Sequence, residues 1–376
     1  MKILHLVQPV EGGVARVVVD LVRAQVRAGL RPVVGCPPNG PLAALASAAG
    51  AEVHGWWAVR DPGLGLAREI AGARSLVREH RPHVVHAHSA KAGLAGRMAV
   101  RGRIPTVFQP HAWSFEAVHG GTAASAVKWE RFGARWADRV LCVSDCERRA
   151  GERAGIAARW SVIHNGIDLG HFRPAGLRER AAARTALGLP DGPPLLVCVG
   201  RLSRQKGQDV LLEAWRAMRP GTGRLALVGS GPEEARLRET APADVLFAGS
   251  ADDVRPWIHA ADAVVLPSRW EGMALAPLEA MACGRPVLMT DVAGARESLP
   301  PGQDAHCLVP PDDPAALAAA LTALLSDPAL RTELGRAAQL HARAVFDVRR
   351  TAAEVTRLYQ ELVHPSGTTT RERTER

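Results

Sequence analysis

Ala263–Thr290, AVVLPSRWEGMALAPLEAMACGRPVLMT, reads in one pass as strand, loop, helix and strand. Ala263 to Leu266 is a short apolar run, long enough for a buried strand and too short for a helix. Pro267 and Ser268 stop it. Pro277 to Cys283 is rich in helix formers, with Gly284 where a left-handed cap belongs, and Pro286 to Met289 is the next parallel strand. Glu271 falls on the loop entering the helix and Glu279 inside it. A loop at the carboxyl end of a parallel strand, leading into a helix, is where open α/β sheets bind ligands. The unpaired N–H groups and positive dipole end there favour an anion such as phosphate. Taken as two residues alone, Glu271 also suits any helix N-terminus, and Glu279 a solvated helical face.

Working outward, strands and helices alternate along the chain, which predicts doubly wound parallel sheets. Residues 3–7, ILHLV, form a first strand, followed by Gly12-Gly13 and a helix with apolar Val14, Val17, Val18 and Leu21. Such a start lets the backbone approach an anion closely. Further strands are expected at 31–35, 84–86, 104–109 and 139–143, and helices at 41–49 and 127–135, with Ser144 as a cap. His83, His86 and His88 are close in sequence, but a third ligand at sensible spacing is missing and no metal is assigned. The second half opens with strand Leu195–Val199 and Gly200-Arg201-Leu202-Ser203-Arg204-Gln205-Lys206-Gly207. Two cations five residues apart at a strand end suit a diphosphate: Arg201 offers paired donors and Lys206 a point charge. Strands at 225–228, 245–249 and 308–310 and helices at 314–325, 328–345 and 349–363 complete the series.

Composition bounds the answer. A chain of 376 residues exceeds one ordinary core, and 47% hydrophobic residues suit a globular α/β protein. No apolar run reaches bilayer length and the start MKILHLVQPVEGG lacks a signal-peptide pattern, so a cytoplasmic location is expected. The six cysteines (36, 142, 146, 198, 283 and 307) have no metal-like spacing and read as small buried hydrophobes. Through Asp168 there are 22 Lys plus Arg against 13 Asp plus Glu, while the remainder holds 25 of each, so the net charge of +9 resides in the first half. That asymmetry points to an anionic partner, a membrane surface or phosphorylated acceptor rather than nucleic acid, for which no motif is present. Base composition is the competing account, since only four lysines occur among 47 basic residues.

The opening stretch resembles the signature of retaining glycosyltransferases of family 4, which have the GT-B fold of two Rossmann-like domains facing a cleft. The matching positions are Ser268, Glu271, Gly272, Leu278, Glu279, Ala280, Met281, Ala282, Gly284, Pro286 and Val287. Gly200 to Gly207 matches the family's G-R-L-x-x-x-K-G, Asn165-Gly166-Ile167-Asp168 its N-G-I-D, and Gly229-Ser230-Gly231-Pro232-Glu233 its G-x-G-P-E. Ala112 and Ala295 stand where the family usually has glycine.

The resemblance implies an acceptor-side domain 1–172, a connection 173–194, a nucleotide-sugar domain 195–348, a helix 349–363 crossing back and a disordered tail 364–376. It implies that Arg201 and Lys206 bind the diphosphate and that Glu279 binds the ribose. Glu271, with the N–H groups of Gly272, Met273 and Ala274, would hold the sugar hydroxyls, and His111 would face the sugar. Gly12 and Gly13 would approach the acceptor or the donor phosphates, and backbone at Gly229, Gly249 and Val254 the nucleotide. Glu271, His111, Arg201 and Lys206 are the catalytic candidates, with no cofactor and no metal. The expected reaction moves a hexose-type sugar, UDP-linked by preference, to a lipid-linked, polysaccharide or small-molecule acceptor. Peripheral contact with the inner face of the plasma membrane through the basic first domain goes with it. Loop HAHSAKAGLAGR resembles the exopolysaccharide and capsule branches. Other readings are a secondary-metabolite glycosyltransferase, another chemistry on the same scaffold, or a non-catalytic nucleotide-sugar binder.

Overall fold

The computed structural model describes residues 1–59, 63, 65–189, 192–219 and 221–364. The tail expected to be disordered lies, after His364, outside the described residues, as does Asp191 of the connection. Two parallel sheets carry the fold. The first contains β1 (Lys2–Val7), β2 (Arg31–Cys36), β3 (Glu52–Gly55), β4 (Val84–His88), β5 (Thr106–Gln109), β6 (Arg139–Cys142) and β7 (Trp160–Val162). Its order is β3-β2-β1-β4-β5-β6-β7. The second contains β8 (Leu195–Val199), β9 (Arg224–Val228), β10 (Val245–Gly249), β11 (Ala263–Leu266), β12 (Val287–Thr290) and β13 (Leu308–Val309), in the order β10-β9-β8-β11-β12-β13.

Central strands are continuous apolar runs because helices cover both faces of a parallel sheet. Ile3, Leu4, Leu6 and Val7 are fully buried, as are Ala263, Val264 and Val265. The first helix, Gly12–Arg27, turns Val17, Val18, Leu21 and Val22 inward at helical spacing. In each sheet the strand order reverses once, between β1 and β4 and between β8 and β11. Loops diverge there at the strands' carboxyl ends and leave a crevice.

The strand expected at Ala263 has the bounds read from the sequence. The helix after it begins at Leu275, two residues before the expected Pro277, because proline is tolerated within a helix's first turn, where its missing N–H costs nothing. The helix expected at 127–135 spans Gly120–Gly133; two glycines at its start conceal the helical pattern. Edge strand β3 and helix Leu66–His80 carry no assignment in the sequence reading, for the strand is four residues with both ends exposed.

The two halves are joined twice. The chain passes from the first sheet at Ile167, and returns alongside it at Phe346–Val348. Ile167 N–H donates to the Phe346 carbonyl at 2.8 Å, and Val348 N–H to the Ile167 carbonyl at 3.0 Å. Helix Val348–Val363 then packs on helix Gly12–Arg27 and on β4. Among the described residues no helix is long and apolar enough to cross a membrane. All six cysteines are free thiols, five of them buried.

Candidate functional site

Of the residues singled out in the sequence, Gly12, Gly13, Arg201, Lys206 and 271–274 follow the strands at the two reversal points, while His111 follows β5 and Gly229, Gly249 and Val254 follow β9 and β10. After β8, the turn Arg204–Lys206 brings the Lys206 ammonium within 2.5 Å of Glu271 Oε1, on the loop after β11. The loops are knitted by main chain: Arg269 N–H donates to the Gln205 carbonyl at 2.8 Å, and Gln205 Nε2 to the Trp270 carbonyl at 3.0 Å. Gly207 permits this approach. Its φ is +65°, and a Cβ there would stand 2.0 Å from the Pro267 carbonyl oxygen. The Arg201 side chain is exposed and makes no ion pair among the described residues.

The loop 271–274 is oriented by the other half of the chain. Ser144 Oγ donates to the Gly272 carbonyl at 2.9 Å and Asn165 Nδ2 to the Met273 carbonyl at 2.7 Å. With those carbonyls held, the N–H groups of Gly272, Met273 and Ala274 make no protein hydrogen bond among the described residues. They precede helix Leu275–Ala282, whose N-terminus has no side-chain cap. Unpaired N–H groups in series at a helix start form an anion- and hydroxyl-binding surface. Gly272 also lies against the other half: a Cβ there would come within 3.0 Å of Ala112 N and of Glu147 Oε1. Glu271 and the His111 loop are therefore neighbours across the cleft.

Glu279 is only 2% exposed and is paired with Arg16 of helix Gly12–Arg27, so the pair bridges the halves. Burial raises the Glu279 carboxyl above its ordinary range, and Arg16 opposes that rise. Stripped of its partner, a buried carboxylate would be strongly destabilising. Ribose recognition by Glu279 would require its hydroxyls to share or replace the guanidinium.

His111 follows β5 with φ +57°, and Ala112 has φ +107°. Both are conformations that non-glycine residues rarely adopt, and such strain persists only where surroundings enforce it. Here Glu147 enforces it, its Oε1 accepting from Ala112 N–H at 2.6 Å and its Oε2 from Val143 N–H at 2.8 Å. Burial pushes the Glu147 carboxyl up to about 7 against these two N–H bonds, and pushes His111 down to about 3, so the imidazole is neutral. His111 Nε2 lies 3.1 Å from His88 Nδ1.

Gly13 sits opposite Leu275, 3.9 Å from its side chain at the ideal Cβ position, so Gly12 and Gly13 face the start of helix Leu275–Ala282. Gly229 N–H donates to the Gly249 carbonyl at 2.8 Å, which aligns the loops after β9 and β10; Val254 is buried where helix Arg255–Ala260 begins. Of the three histidines close in sequence, His83 instead accepts from Lys2 N–H at 3.0 Å, and the buried neighbour of His86 and His88 is His5.

Several residues of the site were given no role in the sequence reading, Asn165 and Glu297 standing there only as members of family-like turns. Arg16 shows only as one arginine on a helix, since its partner lies 263 residues away. Asn165 reads as a turn residue and Glu147 as the third helical residue after the Ser144 cap. Glu297 accepts from Asp145 N–H at 2.7 Å and Cys146 N–H at 2.8 Å, capping a helix of the other half. Ser144, read from the sequence as a cap, does accept from Glu147 N–H at 3.0 Å, while the Glu147 carboxylate turns away to the His111 loop.

Residues 11–171 match the family described as Glycosyltransferase Family 4, and residues 193–327 match Glycosyl transferases group 1. The lipopolysaccharide core biosynthesis mannosyltransferase LpcC of Rhizobium leguminosarum bv. viciae is 33% identical over 238 residues, 60% of this chain; the chain spans 65% of LpcC's length. A D-inositol 3-phosphate glycosyltransferase of Streptomyces avermitilis is 32% identical over 86% of this chain and 75% of its own. In fold, Anabaena Alr3699/HepE, solved with UDP and glucose, superposes with a TM-score of 0.84 at 24% identity, over 96% of this chain and all of that one. Sucrose-phosphate synthase from Thermosynechococcus elongatus gives 0.82 at 24% identity, over 97% and 100%.

Proposed function

Because the chain belongs to glycosyltransferase family 4 and has the GT-B fold, we propose that it transfers a hexose-type sugar from a nucleotide-sugar, with retention, to an acceptor hydroxyl in glycolipid or cell-surface polysaccharide assembly. The observation that carries the reading is the convergence of Lys206, Glu271 and the unpaired N–H groups of 272–274 at the reversal point of the second sheet, with His111 opposite. A UDP-sugar is the preferred donor, in keeping with the UDP-glucose complex of HepE.

In this reading the diphosphate exchanges for Glu271 as the partner of Lys206, and Arg201 adds a second cation. Both charges, with the helix N-terminus, neutralise the leaving group as the glycosidic C–O bond breaks, without a metal ion. Glu271, released, accepts from sugar hydroxyls that the 272–274 N–H groups also hold. The acceptor oxygen attacks the anomeric carbon from the face the diphosphate leaves, and its proton passes to the departing oxygen. His111, neutral, serves as a hydrogen-bonding wall rather than a charge. The acceptor approaches from the first, basic half, at the inner face of the membrane when it is lipid-linked.

A thermal-shift screen with UDP, GDP, ADP and dTDP and their sugar conjugates, with and without EDTA, tests the donor site. A single EDTA-insensitive responder, followed by sugar transfer to lipid-linked or polysaccharide acceptors, is expected. Folded protein that responds to none of these nucleotides would defeat the proposal.

A further inference from the structure

Behind His111 runs a chain of buried side chains. β1 and β4 pair with His5 opposite His86, and alternation along β4 puts His86 and His88 on one face. His5, His86, His88 and Gln25 are all fully buried. From the cleft inward, His111 Nε2 is 3.1 Å from His88 Nδ1, His88 Nε2 is 3.0 Å from His5 Nδ1, and His5 Nε2 is 2.9 Å from Gln25 Oε1. The groups facing this chain are His86, bonded through Nδ1 to the Tyr359 hydroxyl at 2.6 Å, and Gln109; among the described residues no carboxylate takes part. Burial holds all four imidazoles below their ordinary range, hence neutral.

A neutral imidazole has one N–H and one lone pair. The Gln25 amide is oriented with Oε1 toward His5; in that orientation the carbonyl oxygen accepts, so His5 carries its proton on Nε2. Its Nδ1 then accepts from His88 Nε2–H, and His88 Nδ1 accepts from His111 Nε2–H. His111 Nδ1 remains as a lone pair with no protein partner among the described residues. We infer that Gln25, His5 and His88 are positioning residues that set the tautomer of His111, leaving Nδ1 to accept from a hydroxyl of the bound donor or acceptor. The inference rests on the proposed placement of His111 at the sugar.

A metal ion is the rival use of His5, His86 and His88, which can each offer one ring nitrogen within 4.8 Å of the other two. Five of their six ring nitrogens already have hydrogen-bond partners, His86 Nε2 being the exception. A metal ion would have to displace those hydrogen bonds, because each bonded nitrogen already uses its lone pair or its proton.

Long-range 1H–15N correlation of the full chain, labelled at histidine, reads each tautomer without needing activity. His5, His88 and His111 are expected as Nε2–H with bare Nδ1. A His111 Nδ1–H tautomer overturns the inference, as does stoichiometric metal in the purified protein whose removal moves these resonances. Gln25→Met should release the His111 tautomer and lower kcat about tenfold, the loss of roughly one oriented hydrogen bond, with the donor KM and Tm little changed. Gln25→Glu, still an acceptor, should restore both tautomer and kcat. An unchanged His111 tautomer in Gln25→Met sinks the chain even if sugar transfer is found. Wild-type protein with the expected tautomers but no transfer would instead sink the proposed function alone.

Discussion

Lys206 and Glu271 hold each other at 2.5 Å with side chains 22% and 12% exposed. A pair in that setting contributes only modestly to stability, because partial solvation weakens it and two side chains must be ordered. In the proposed reaction its chemical value is larger: it stores a cation where a diphosphate would develop charge. Lys206→Ala should therefore depress kcat by about a hundredfold or more, typical for removing one preorganised donor, while Tm moves by a few degrees at most. Turnover like wild type, measured with the donor found in the screen, would remove Lys206 from the mechanism. Lys206 was legible in the sequence because one of four lysines sits in a spaced motif at a strand end. Arg16 was not, since nothing local distinguishes it, and its meaning comes from Glu279 on the facing helix.

Between residue and fold stands the loop from Ser268 to Ala274 with its helix. The strand before it is a four-residue apolar run between clear stops, so its bounds could be read directly. Its chemistry could not, because peptide orientation depends on what takes the carbonyls. Ser144 and Asn165 take them, 128 and 108 residues away in sequence. The double variant Ser144→Ala, Asn165→Ala should lower nucleotide-sugar affinity about tenfold or more, since each lost bond to an ordered carbonyl is worth roughly 1 kcal/mol. Isothermal titration checks this, and unchanged affinity in a folded variant would show that the loop orients itself. Ser144 was legible as a cap; its second bond was not.

At the scale of the molecule, buried titratable groups set the response to acid. His5 and His111 are pushed down to about 4 and about 3 from 6.5, and His86 and His88 lie well below it. Between pH 6.5 and those values the unfolded chain binds protons that the folded chain refuses, so stability falls as pH falls. Glu147, at about 7 instead of 4.5, acts oppositely: its folded carboxyl is the better proton binder, and stability rises as pH falls from 7 to 4.5. Burial likewise raises Glu279, Glu130, Glu116 and Asp20 and lowers His171, His259 and His341, so at about 1.4 kcal/mol per pH unit for each group seven lowered imidazoles outweigh five raised carboxyls. Tm should be lower at pH 5 than at pH 7.5, by calorimetry at constant ionic strength. A higher Tm at pH 5 would mean that the imidazoles are not held neutral.

The alternation of apolar runs with helical segments, the glycine turns and the spaced cations determined the two parallel sheets and picked out most residues of the candidate site. Those features act locally, through backbone preference and burial on both sheet faces, and so are written in consecutive residues. Only the tertiary structure decided how the halves complete one another: Arg16 on Glu279, Ser144 and Asn165 on the 272–274 loop, and Glu297 on helix Asp145–Arg153. Each of these joins residues far apart in the chain through one buried hydrogen bond or ion pair. Such contacts leave no periodic trace, because what they satisfy is a desolvated polar group that exists only once the two sheets face each other.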